Sequence, residues 1–428
     1  MRIKLDYGDE KKELEIPDKN LADFFTLELT GQKASTQLFD QALGDSNPKL
    51  EDIVSDKNVC VILDDSTRIQ PREEILHPLC KRLTKAHFIQ FIIATGTHKP
   101  EYNIAICEFI KDIVKTHPLN FNISINNSTK EDEFEYVGTT QRKTEVFVNK
   151  KALPADIFVV VSGLKPHYFA GYSNPIKNFL PGICSFETIR QNHCALIVED
   201  NSTYGMHPWH PLPQKRQNPI TEDMLEGMKL IVKGRYVFAL NFVGNKEIIW
   251  AKAGEVKEVT QEGIKVVDKY MSFNAHTTKY LVLSPGKGED KTFYVAQRAL
   301  ELTKQLVSKD TEVLWIANLS GGIHHDKELL PILKKDYDYI HRKIKEREAK
   351  LSLYKAFRFK NYLQRVNKVY CYCDYNHKDL LEIGVIPVDD PQKIIEDWLK
   401  KEPTAKILAL NKANKLALYR KLGNGNGV

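Results

Sequence analysis

Asp156-Ile-Phe-Val-Val-Val-Ser162 is a near-unbroken β-branched run, the composition of a strand buried on both faces, and Gly163 ends it. Strands covered on both faces belong to parallel sheets flanked by helices, so the run reads the chain as α/β. Ligands in such sheets gather beyond the carboxyl ends of the strands. The sequence that follows, SGLKPHYFAGYSNPIKNFLPGICSFETIRQNH from Ser162 to His193, sets His167, Lys177 and His193 among glycines and prolines rather than along one helix face. His167 is an imidazole that titrates near neutrality, and Lys177 is an amine that bonds to electrophiles once desolvated. His193, after a predicted helix around Phe186–Asn192, suits a metal ligand or a base. The plainer reading of each residue alone is a polar side chain on a long surface loop.

Two further strand ends bear on that choice. Asn58 to Asp65, NVCVILDD, is an apolar run ending in acid and followed by Ser66, Thr67 and Arg68, types that suit phosphate or carboxylate binding. Ala86 to Thr97, AHFIQFIIATGT, delivers His98 at what is otherwise an ordinary strand-to-helix turn. Three strand ends carrying Asp65 and Arg68, His98, and His167 with Lys177 would assemble one polar site on the same edge of one sheet. That coincidence favours catalysis.

DSTR (65–68), GTHKP (96–100), KPHYFAGYSNPIKNFLPG (165–182), ETIRQNH (187–193) and NPITEDM (218–224) resemble, in order and spacing, the nickel-pincer-nucleotide lactate racemase family. The resemblance runs over most of the chain. It implies two α/β domains with an interdomain active-site cleft, and a racemase or epimerase that inverts the hydroxyl-bearing C2 of a 2-hydroxy acid. It also implies a cofactor, pyridinium-3-thioamide-5-thiocarboxylic acid mononucleotide holding Ni, supplied by cofactor-synthesis enzymes. By the same resemblance Lys177 ties the cofactor, His193 ligates the metal, and Asp65, Ser66, Thr67 and Arg68 hold the nucleotide. Arg68 also faces substrate, and His98 and His167 match the acid–base pair.

The chemistry accounts for these residue types. The C2 proton of a 2-hydroxy acid is very weakly acidic beside a carboxylate. Removing hydride from carbon and a proton from the hydroxyl gives a flat 2-keto acid instead, to which hydride returns on either face; the hydride chemistry belongs to the cofactor. Two histidines with reference pKa near 6.5 serve the two hydroxyl positions. An arginine clamps the carboxylate in bidentate fashion.

Departures from the family pattern carry information. Asn174-Pro175 stands where two glycines are usual; asparagine tolerates positive φ, whereas proline fixes φ and removes an N–H. Val295 and Arg298 stand where lactate-specific members carry a glutamine and a lysine facing substrate, which points to an acid other than lactate. Residues 205 to 216, with His207 and His210, read as an insertion whose HxxH is a surface feature rather than a metal site.

Composition bounds the rest. The 428 residues suggest two domains, and the 42% hydrophobic content is ordinary for a globular protein. The net charge of +6, from 62 basic and 56 acidic residues, attracts anionic substrates, and without a basic block carrying aromatics it does not indicate nucleic acid. No segment reads as a signal peptide or membrane span, so the expected residence is cytoplasmic. The expected division is a cofactor-binding domain over 1–270, joined by a C-terminal return at 405–428, and a smaller α/β domain over 271–404. Expected elements include hairpins at 1–16 and 244–254, a long helix holding Arg298, and a disordered tail. Two other functions fit the residues alone. One is a zinc hydrolase built on His98, His167 and His193; the other is a non-catalytic ligand-binding protein.

Overall fold

The strand Ile157–Gly163 is the centre of a seven-stranded sheet, pairing in parallel with Asn58–Asp64 on one side and Tyr236–Gly244 on the other. The order is Gln32–Lys33, Glu247–Glu255, Tyr236–Gly244, Ile157–Gly163, Asn58–Asp64, Phe88–Ala94 and Phe121–Ile125. Only Glu247–Glu255 runs against its neighbours. Val159, Val160 and Phe158 are fully buried, as a β-branched strand covered on both faces requires. The helices Arg72–Arg82 and Ile104–Val114 follow the strands Asn58–Asp64 and Phe88–Ala94 and pack Ile75, Leu79, Ile110 and Val114 into the core.

The computed structural model describes residues 1–196, 202–323, 327–346 and 351–421. They divide into two compact units, Leu29–Tyr270 and a second made of Met1–Glu28 with Met271–Val428. The second unit has its own six-stranded parallel sheet, in the order Ile386–Pro387, Lys368–Tyr372, Glu312–Ile316, Tyr280–Leu283, Ile407–Asn411 and Leu21–Thr26. The fold is therefore α/β in both units.

Several expectations are corrected. The segment expected to return to the first domain stays in the second unit: Ile407–Asn411 is buried throughout and takes a strand on each side, Tyr280–Leu283 and Leu21–Thr26. Residues 1–28 belong there as well. The second hairpin turns at Asn245-Lys246, so residues 247–254 form one strand, not two. Arg298 lies on no long helix but starts the four-residue helix Arg298–Glu301, just after Phe293–Ala296, where aromatic and β-branched residues are weak helix formers. The hairpin of Arg2–Tyr7 with Glu10–Glu15 and the helix Phe186–Leu196 form as expected. All seven cysteines are free. His324, His325 and the glycine-rich tail lie outside the described residues. No helix among the described residues is long and apolar enough to cross a membrane.

Candidate active site

Three adjacent parallel strands of the seven-stranded sheet end in Asp64, Ala94 and Gly163, and the expected site residues of this unit follow them. After the first, the chain turns at once: the Arg68 amide donates to the Asp65 carbonyl at 3.1 Å. Asp65 is 3% exposed. Its Oδ1 accepts the Thr67 hydroxyl at 2.7 Å and its Oδ2 meets His98 Nδ1 at 2.5 Å. Arg68 donates to the Thr67 hydroxyl at 2.9 Å, and the Ser66 amide donates to Asn103 Oδ1 at 2.7 Å. The expected nucleotide-holding segment therefore has its Asp65 carboxylate and its Ser66 amide turned onto the protein.

The two neighbouring carboxyls are driven apart. Burial, with the Asp65 charge added, raises Asp64 above the ordinary range against the charge of Arg68. Burial acts on Asp65 in the same direction, but the hydrogen bond and charge of His98, with Arg68 and Thr67, outweigh it and hold Asp65 below that range. An ionised Asp65 fixes the His98 proton on Nδ1, so the neutral ring keeps its lone pair on Nε2, the form of a base.

Beyond the central strand the chain makes a small hairpin, Lys165–His167 with Gly171–Ser173. Gly171 is required here: its φ is +76°, and a Cβ would stand 1.9 Å from the Met206 carbonyl oxygen. The turn brings the Ala170 amide to His167 Nδ1 at 3.2 Å, which puts the proton of the neutral ring on Nε2. His167 Nε2 lies 3.0 Å from Lys177 Nζ, and the lysine also sits 5.1 Å over the Phe169 ring.

Asn174-Pro175 forms the N-cap and first residue of the helix Pro175–Phe179 that carries Lys177. Asn174 is extended at φ −165°, not left-handed, and its Oδ1 accepts the Ile176 amide at 2.9 Å. The proline thus takes a position where no N–H is needed. The helix is tied to the first strand end by Asn178, which donates to Asp64 Oδ1 at 3.0 Å.

His193 lies on the helix Phe186–Leu196, 6% exposed, with its ring edge against Phe169 at 5.1 Å between centroids. Phe169 contacts His167 as well, at 4.5 Å, so one aromatic joins both histidines to Lys177. Sequence reasoning missed Phe169, although it sits inside the quoted KPHYFAGYSNPIKNFLPG stretch.

Val295 and Arg298 belong to the other unit. Asn414 Nδ2 donates to the Val295 carbonyl at 3.3 Å. Around them Tyr294 pairs with Tyr354 through their hydroxyls at 3.0 Å, and Lys355 lies 4.3 Å over the Tyr294 ring. Arg358 and Glu301 form a buried ion pair at 2.6 Å.

The HxxH of residues 207–210 is buried rather than superficial. His207 Nδ1 accepts the Trp209 amide and His210 Nδ1 accepts the Leu212 amide, both at 3.0 Å. Each ring therefore keeps its proton on Nε2, which disfavours a metal there. His210 Nε2 meets Asp268 at 3.1 Å, and Tyr172 donates to the same carboxylate at 2.6 Å. Among the described residues no three His, Cys, Asp or Glu side chains converge to hold an ion, so the three-histidine zinc centre of the alternative reading does not form there.

With this geometry in place, the comparisons with known proteins are informative. Residues 7–205 match the model of the lactate racemase N-terminal domain. The lactate racemase of Thermoanaerobacterium thermosaccharolyticum is 26% identical over 66% of this chain and 66%, just under two thirds, of its own length. That of Lactiplantibacillus plantarum is 25% identical over 69% of this chain and 68% of its own. The structure of the lactate racemase apoprotein from T. thermosaccharolyticum superposes with a TM-score of 0.84 at 23% identity, covering 98% of this chain and 100% of that one. The proteins these matches name are racemases, which are isomerases. Over these stretches the chain is similar to lactate racemases, and it shares the fold of the lactate racemase apoprotein.

Proposed function

We propose that the protein racemises or epimerises a 2-hydroxy acid at C2 through a 2-keto acid, with a nickel-pincer nucleotide as its cofactor. The observation that carries this reading is the grouping of Lys177, His167, Phe169 and His193 beyond one strand, beside a strand end carrying the His98–Asp65 pair. The bound nucleotide would supply the hydride acceptor.

The residues fit such a group. His193, buried beside Phe169, offers an imidazole that suits a metal held by such a group. Lys177, held on His167, suits covalent attachment to an electrophilic carbon. Arg68 would clamp the substrate carboxylate, and Thr67 orients its guanidinium. His98 would take the hydroxyl proton at Nε2, with Asp65 stabilising the imidazolium that forms. His167, whose neutral ring carries its proton on Nε2, would serve the opposite hydroxyl position. The cofactor-holding residues all lie in the unit Leu29–Tyr270, and the substrate-binding role of Val295 and Arg298 is supported by the resemblance of their segment alone.

The test is intact mass and metal content of protein produced alongside the cofactor-synthesis enzymes. The proposal expects a covalent increment lost in Lys177→Ala, and about one nickel per chain, lost in His193→Ala. Wild-type protein of unmodified mass and free of nickel from that host overturns it.

A further inference from the structure

The protonation pattern of His193 is set from outside its ring. Asp223, 1% exposed, accepts three hydrogen bonds: the Thr140 hydroxyl at 2.5 Å on Oδ1, and the Thr144 hydroxyl and Asn192 Nδ2, each at 2.7 Å, on Oδ2. Thr140 Oγ1 itself accepts the Thr144 amide at 3.0 Å, which leaves its proton for Asp223. Asn192 Nδ2 also donates to the Ile220 carbonyl at 3.2 Å.

Both partners of the Asn192 nitrogen only accept, so the nitrogen and oxygen of this amide cannot be exchanged. The oxygen therefore faces His193 Nδ1, at 2.9 Å. An oxygen at that distance requires the ring proton on Nδ1, and the lone pair is left on Nε2. Asn192 is fully buried, Thr140 and Thr144 are 2% and 1% exposed, and water has little room to replace any member. The residues come from both elements that pack on the helix Phe186–Leu196: the hairpin Phe134–Thr139 with Glu145–Asn149, and the helix Pro219–Val232.

We infer that Asn192 and Asp223 are positioning residues that hold His193 as its Nδ1–H tautomer and so present Nε2 as the metal-ligating atom. Outer hydrogen bonds of this kind set ring orientation and raise ligand basicity, and their loss lowers metal affinity by roughly 10–100-fold. The inference rests on the reading of His193 as the nickel ligand, but its first test does not need nickel. The alternative is that the network only ties three elements together.

The first experiment records long-range proton–nitrogen correlations of the apoprotein labelled with nitrogen-15 histidine, with His193 assigned by its loss in His193→Gln. Wild type is expected to show His193 protonated on Nδ1, and Asn192→Leu to shift it toward Nε2. The exchange of Asn192→Asp with Asp223→Asn rebuilds every bond except that to Ile220, and is expected to restore Nδ1–H with a melting temperature near wild type. A wild-type His193 protonated on Nε2 overturns the inference. So does an Asn192→Leu protein that retains Nδ1–H, or, if that variant fails to fold, an exchanged pair that folds without it. The second experiment measures nickel retained by cofactor-loaded protein after gel filtration: a fall of about tenfold or more in Asn192→Leu, recovered in the exchanged pair, is expected. Absence of nickel from loaded wild type counts against the proposed function, while the tautomer result stands independently.

Discussion

His98 Nδ1 lies 2.5 Å from Asp65 Oδ2, whereas His167 Nδ1 receives a backbone amide. The two candidate acid–base histidines are thus prepared differently. His98 has a carboxylate behind it and a basic Nε2; His167 has its neutral-state proton on Nε2, against Lys177.

Asp65→Asn is accordingly expected to lower turnover by about two to four orders of magnitude while the protein stays folded, because the amide neither fixes the His98 tautomer nor stabilises its charged form. The Asp65 carboxyl is held below its ordinary range in the fold, so its stabilising effect is complete above the unfolded value of about 3.9 and fades as pH falls through the folded value. Denaturation across pH 2–6 checks this: the stability gap between wild type and Asp65→Asn should narrow only at the acid end.

Replacing either His98 or His167 by Ala is expected to block inversion in both directions, with a loss of roughly two to four orders of magnitude. Chiral assays started from each enantiomer check it. Full activity in either single variant removes that residue from the acid–base pair.

His207 carries a separate pH signature. Burial, with the nearby His210 adding, lowers it to about 3, so the folded protein keeps it neutral while the unfolded chain binds a proton below about 6.5. Its stabilising effect is therefore complete above about 6.5 and is lost as pH falls toward about 3. His207→Asn keeps an acceptor for the Trp209 amide. Its unfolding free energy should fall less steeply than that of wild type over this window, by up to about 1.4 kcal/mol per pH unit.

Gly171→Ala should cost on the order of 1–3 kcal/mol, because a Cβ meets the Met206 carbonyl in a left-handed turn. Thermal melts check it. The same change should impair the Lys177 environment, since the turn at Gly171 sets the Ala170 amide on His167.

Much of the fold was legible because it is local. β-branched runs such as Val159–Val161 mark strands buried on both faces, and glycine or acid at their ends marks where the site residues emerge. What lay beyond the sequence was pairing at long range. Nothing in Ile407–Asn411 says which sheet it enters, since its partner Leu21–Thr26 lies near the other end of the chain. The HxxH was misread as superficial because its burial depends on Asp268, 58 residues on from His210. Asn192 and Asp223 stood inside two quoted motifs, yet their link spans 31 residues and exists only once two helices pack.

Substrate choice turns on Arg298 and Val295. We propose that a forked guanidinium and an apolar residue, where lactate-specific members carry a lysine and a glutamine, favour a longer polar 2-hydroxy acid, a dicarboxylate or sugar acid, over lactate. Arg298→Ala should depress turnover of that acid far more than turnover of lactate, by on the order of a few kcal/mol in kcat/KM. A panel in which lactate is fastest, and all acids suffer equally, contradicts this.

The central claim is inversion at C2 by hydride transfer. Its most direct test is to incubate cofactor-loaded protein with one enantiomer of a 2-hydroxy acid in deuterium oxide, and to analyse the product by chiral chromatography with mass spectrometry. The account predicts that the opposite enantiomer forms and keeps its C2 protium, because hydride does not exchange with solvent. No inversion across the acid panel, or product carrying deuterium at C2, would contradict it.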